Sequence, residues 1–207
     1  MMEKLFAFPK ESSTSYVRLY PELSGPFVEA TVCMRFRSDL TRRYSLFSLA
    51  TPKKYNDFLL FYYDTTYNQS SLWVSDKEQL YDVQGHNFTE WTSICATWSS
   101  KAQAVWIDGR KYNNNNIENG EISAGPIIII GQEQDSYGGK FSEWKSFVGE
   151  MTDLNMWDKA LTDDNVIDYF AGNEVSGNVI NWKALTYTSY GDVSIRPYVD
   201  PYPCIPV

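Results

Sequence analysis

Glu133, Gln134 and Asp135 stand side by side two residues beyond the apolar run PIIII (126–130), near the head of GQEQDSYGGKFSEWKS (131–146). Two carboxylates and the carbonyl between them can be offered to one hard cation, and Ca2+ collects roughly six to eight such oxygens. The spacing is not that of an EF-hand loop, so the loop alone leaves calcium binding and a solvated acidic turn both open. Carboxylates on a two-sheet β fold can also hydrolyse glycosides from an E-x-D-x-x-E strand. The first half of that pattern is present, but Gly138 stands where the second glutamate belongs. Retaining hydrolysis needs two carboxyl groups roughly 5 Å apart in separate roles, and the second is missing. The sole histidine, His86, sits in the loop sequence QGHNFT, and no G-x-S-x-G elbow or glycine-rich phosphate loop occurs. Catalysis is therefore not expected.

The elements that must position this loop are strands. LFAF, SYVRLY, VEATVCMRF, YSLFSLA, FLLFYY, SLWV, WTSICATW, AVWIDG, PIIII and SFVGEMTDLNMW are short apolar or alternating runs bounded by turn residues. Asp108-Gly109 suits a tight type I′ hairpin. One helix is expected, with Thr162 as N-cap, Asp163 and Asp164 in its first turn, and Ala171-Gly172 as its stop. KYNNNNIENGE (111–121) reads as an exposed loop, and the tail RPYVDPYPCIPV is too rich in proline for a central strand. The pattern is an all-β sandwich in a single domain spanning 1–207.

Composition narrows the partners. Eighteen basic against 26 acidic residues give a net charge of −8, which argues against nucleic acid because polyanions require a basic stripe. No apolar stretch reaches the roughly 20 residues of a membrane span, and MMEKLFAFPKESS lacks the apolar core of a signal peptide. Cys33 and Cys95 each lie on the face opposite their strand's apolar set, so neighbouring strands could bridge them or leave two buried thiols. Cys204 lies in the proline-rich tail, free or linking chains. Sequons occur at Asn68 and Asn87.

In order along the chain, FPKESSTSYVRL, ATVCMRF, SICATWSS, VWIDG, IIIIGQEQDSYGGKF, VGEMTDLNMWDKALT and VINWKAL closely resemble the pentraxins. The family signature His-x-Cys-x-Ser/Thr-Trp reads here as Ser93-Ile94-Cys95-Ala96-Thr97-Trp98, with serine in the histidine position. The resemblance implies a two-sheet antiparallel jelly roll of lectin type with one short helix, a Cys33–Cys95 disulfide, secretion, and a cyclic homo-oligomer, a pentamer in the first instance and a smaller ring otherwise. It implies a calcium-dependent recognition protein of innate immunity for phosphocholine-type or other anionic ligands. Complement or receptor proteins are the further partner class.

Carried over residue by residue, Glu133, the Gln134 carbonyl, Asp135 and Asn56 are the calcium ligands the resemblance implies. Tyr55 replaces the aspartate usually paired with Asn56, although Asp57 follows. Ser142 and Lys145 replace two ligands of a second ion, with Glu143 a substitute if the loop shifts by one residue. One Ca2+ is thus expected and a second is weak or empty. Phe61 and Glu78 match the floor and the ammonium-facing carboxylate of a choline pocket, and Trp73 replaces its small wall residue. The alternative is a scaffold that has lost calcium-dependent phosphocholine binding and works through other ligands or protein contacts.

Overall fold

The computed structural model describes residues 1–64, 66–114, 120–173 and 175–198; Cys204 lies outside them. Two antiparallel seven-stranded sheets form a sandwich. The first runs β10 (Arg110–Asn114), β9 (Gln103–Ile107), β8 (Thr92–Trp98), β3 (Ala30–Arg37), β12 (Gly149–Trp157), β1 (Lys4–Phe8), β14 (Ser194–Pro197). The second runs β13 (Tyr187–Tyr190), β2 (Tyr16–Leu19), β11 (Ile127–Ile130), β4 (Tyr44–Ala50), β5 (Phe58–Tyr62), β6 (Gln69–Val74), β7 (Lys77–Asp82).

Alternation decides which side chains meet between the sheets. Met34 and Phe36 of β3 and Phe6 and Phe8 of β1 face Phe58 and Leu60 of β5 and Ile128 and Ile130 of β11 in one continuous core. Leu59 and Phe61 take the other face of β5. Rings lock edge to face across the core, as between Phe8 and Phe147 at 5.5 Å.

The cysteines face away from this core and are nevertheless fully buried, because helix α1 (Asp163–Phe170) covers them. Cys33 and Cys95 lie directly opposite in the β3–β8 register and are joined by a disulfide. They share a second apolar cluster with Trp106, Trp157 and Val166 of α1. The helix starts as expected: the Thr162 hydroxyl accepts the Asn165 N–H at 3.3 Å, satisfying one of the amides that a first turn leaves unpaired.

The expected exposed loop at 111–121 is corrected in its first part. Residues up to Asn114 pair with β9 as an edge strand across the Asp108-Gly109 turn, where both residues have positive φ; 115–119 lie outside the described residues. Three further strands, β7, β13 and β14, were not among the expected runs. β14 is an edge strand ending at Pro197, a place where proline removes no ladder bond from a neighbour. Among the described residues no helix is long and apolar enough to cross a membrane.

Candidate functional site

The acidic loop begins where β11 ends and folds back over the strand it has just left. Ile128 and Ile130 point into the core, while Ile127 and Ile129 occupy the outer face and are also buried. Gln134 does the covering. Its fully buried amide donates to the Ile127 carbonyl at 3.0 Å and the Ser48 carbonyl at 2.9 Å, and its Oε1 accepts the Gly138 N–H at 3.0 Å. The Gln134 side chain is therefore a pin that seats the loop on β4. Gln132 is a second pin: its side-chain amide donates to the carbonyls of Ser12 and Ser15, and its backbone carbonyl accepts the Ser45 hydroxyl at 3.2 Å. The two ends of the loop are tied by the Phe147 N–H donating to the Gly131 carbonyl at 3.0 Å.

That closure brings Lys145 to the carboxylates. Lys145 ends a single 3-10 turn, Glu143–Lys145, which Arg42 holds by donating to the Ser146 carbonyl at 2.8 Å while pairing with Glu11. The Lys145 ammonium lies 3.1 Å from Glu133 Oε2, and 3.1 and 3.2 Å from the two oxygens of Asp135. Burial pushes the Glu133 carboxyl above its ordinary pKa, with Lys145 opposing that shift. Burial pulls Lys145 down, but Glu133 and Asp135 outweigh it and leave the ammonium above its ordinary value. A desolvated carboxylate needs a cation, and the chain supplies one.

Beside this pair opens a cleft of about 210 Å³ lined by Arg43, Leu59, Phe61, Tyr63, Trp73, Glu133 and Lys145. Phe61 and Tyr63 follow at alternate positions, and Trp73 stands across from Leu59 in the β5–β6 register, so one outer face carries them all. Glu78 is opposite Trp73 in the β6–β7 register, and its carboxylate accepts the Tyr63 hydroxyl at 2.7 Å. Phe61, Trp73, Glu133 and Lys145, named from separate stretches of sequence, thus share one cleft. Glu78 is tethered to its wall. Tyr63 and Arg43 were not foreseen; the alternation Phe61–Tyr63 signalled the first, and nothing in the sequence signalled the second.

The remaining expected ligands stand elsewhere. Asn56 exchanges bonds with Asp76 and does not line the cleft, although its buried Oδ1 has no hydrogen-bond partner. Glu143 is exposed, and among the described residues no three acidic, histidine or cysteine side chains converge as a metal group. Asp57 turns inward: one of its oxygens accepts the Thr51 hydroxyl at 2.8 Å and the Ser123 N–H at 2.9 Å. Glu133 and Asp135 offer two carboxylates to a hard cation, and Lys145 already occupies both of them. A larger cavity of about 530 Å³ lies between Arg35, Trp91, Tyr169 and Trp182 and includes none of the loop residues.

Asp57 offers a check on this placement. Burial raises its pKa, so its contribution to stability is full at acid pH and is lost as pH rises through the shifted value. The melting temperature of Asp57→Asn, relative to the unaltered protein, should improve from acid to neutral pH, with calcium affinity unchanged. A loss of calcium affinity would show that Asp57 reaches the loop.

Residues 4–197 match the Pentaxin family. The chain belongs to the pentraxins. It is 40% identical to serum amyloid P-component of Cavia porcellus over 95% of this chain and 88% of that one. It is 39% identical to C-reactive protein of Homo sapiens, over 97% and 91%. A solved heptameric SAP-like pentraxin from Limulus polyphemus superposes with a TM-score of 0.84 at 27% identity, covering 95% of both chains. Family membership places the chain among non-enzymatic recognition proteins, and the lectin-like sandwich and the Cys33–Cys95 bridge agree with it.

Proposed function

We propose that this pentraxin is a secreted recognition subunit that assembles as a closed ring and takes phosphocholine-type or other small anionic ligands in the cleft at Phe61, Trp73 and Glu133. The observation that carries the reading is convergence. The β5–β6 hairpin, Arg43 just before β4, and the acidic loop with its return at Lys145 come from separate stretches of sequence and contribute to one cleft, with Glu78 tethered to it. Ring assembly is supported by the heptameric relative, since one head-to-tail interface closes when its rotation does. A monomeric mass by light scattering would sink that part.

Calcium enters this reading as a competitor. Two carboxylates already paired with an ammonium bind a divalent ion only by releasing it, so one weak Ca2+ site per chain is expected at Glu133, Gln134 and Asp135. Calorimetric titration with Ca2+ should show at most one weak event. Lys145→Gln should strengthen it about tenfold or more, a change of roughly 1.4 kcal/mol. Two tight sites in the unaltered protein would refute the competition.

A further inference from the structure

We propose that the cleft carries its own cations and binds a small phosphate ester with a compact cationic end without any metal ion, Lys145 offsetting one of the acidic loop's two charges and Arg43 receiving the phosphate. This rests on the reading of the cleft as the ligand site. Glu133 beside the cleft and Asp135 next to it would repel an anion, but Lys145 lies within 3.2 Å of both. Its single positive charge does part of what a bound cation would do, holding the two carboxylates together, and it is covalently part of the chain.

Lys145 is occupied, so the recognition charge must come from elsewhere. Arg43 provides it. Its guanidinium lies 5.8 Å from the centre of the Tyr63 ring, it is exposed, and among the described residues it has no carboxylate within ion-pair distance. Coupled to Glu133 only beyond ion-pair distance and steadied on an aromatic face, the guanidinium presents paired N–H donors suited to phosphate oxygens. The other walls suit the opposite charge. Phe61 and Trp73 offer aromatic faces to an ammonium, and Glu78, held by the Tyr63 hydroxyl, adds a carboxylate. Two cations offset Glu133 and Asp135, and Glu78 leaves the set net negative, so a zwitterion should be preferred to a bare anion. The volume of about 210 Å³ holds a headgroup, not an extended chain.

The test is calorimetry on the full oxidised chain, titrating phosphocholine, and separately inorganic phosphate, in EGTA and in Ca2+. Phosphocholine should bind in EGTA with an affinity within about threefold of that in Ca2+, and more tightly than phosphate. Arg43→Gln should weaken it about tenfold in EGTA. Lys145→Gln should abolish binding in EGTA and regain it when Ca2+ is added, whereas Lys145→Arg should bind without calcium. Melting curves identify any variant that fails to fold, and Arg43→Lys then replaces Arg43→Gln with an intermediate loss expected. Binding by the unaltered protein in Ca2+ alone, or an Arg43→Gln variant that binds normally, would overturn the inference and leave the cleft reading standing. No phosphocholine binding under either condition would overturn both. Competition by phosphatidylcholine vesicles would assign the ligand to a lipid headgroup, and its absence to the free ester; either result upholds the metal-free mode.

Discussion

Replacing Cys33 and Cys95 together by alanine is expected to lower stability by about 4 kcal/mol, the loop-closure entropy returned to the unfolded chain when a bridge of this span is opened. The two residues are 62 apart in sequence and face one another in the β3–β8 register, so the bridge closes a long loop at the centre of a sheet. Both are fully buried beneath Val166 of α1, and alanine in both places leaves no unpaired thiol behind. Urea unfolding should show a lower midpoint and a steeper dependence, because the opened chain exposes more surface when it unfolds. The bridge belongs to the sheet that does not carry the cleft. Ligand binding below the unfolding transition should accordingly survive. A loss under about 1 kcal/mol would mean that the unfolded chain is already compact enough to gain nothing from release.

The disulfide also shows what the sequence could disclose. In β3 and β8 the period-two pattern put each cysteine opposite its apolar set, and both proved to face α1 across the sheet from the main core. FLLFYY was legible for another reason: both faces of β5 are buried, so it reads as one continuous apolar run. β7, β10, β13 and β14 were not. β7, β13 and β14 are largely exposed, and all four are outermost strands of their sheets, where polar residues guard unpaired backbone. An asparagine-rich edge strand carries no alternation to read.

The site was legible by composition and illegible in its pairings. Glu133 and Asp135 announced an acidic loop, but the role of Gln134 as a buried pin appears only once the loop lies on Ser48. Lys145 was visible as a departure from the family's ligand set. Its seat between the two carboxylates depends on the return of the chain through Glu143–Lys145, a geometry no spacing rule encodes. Arg43 reaches the cleft from just before β4, a third segment with no motif of its own.

Gly131 is where the fold and the site are joined, and Gly131→Ala is expected to cost about 3 kcal/mol, roughly 1 for the backbone conformation and the rest for overpacking. Its φ of +87° is one that an L side chain rarely adopts. An added Cβ would also stand 2.3 Å from Cε1 of Phe8 and 2.9 Å from two further ring atoms. That ring has little room to yield. Phe8 is buried and meets Phe147 edge to face at 5.5 Å, and the Phe147 N–H is the donor that closes the loop onto the Gly131 carbonyl. Displacing Phe8 therefore loosens both the core and the closure that seats Lys145, and the loop 131–146 should become more sensitive to protease. Gly109→Ala supplies the control. Its φ of +83° is nearly the same, but no atom lies within 4 Å of the added Cβ, so only the backbone cost of about 1 kcal/mol should appear. Urea midpoints of the two variants separate the terms. If Gly131→Ala cost no more than Gly109→Ala, Phe8 would not be packed against the loop, and the acidic loop would be held by its hydrogen bonds alone.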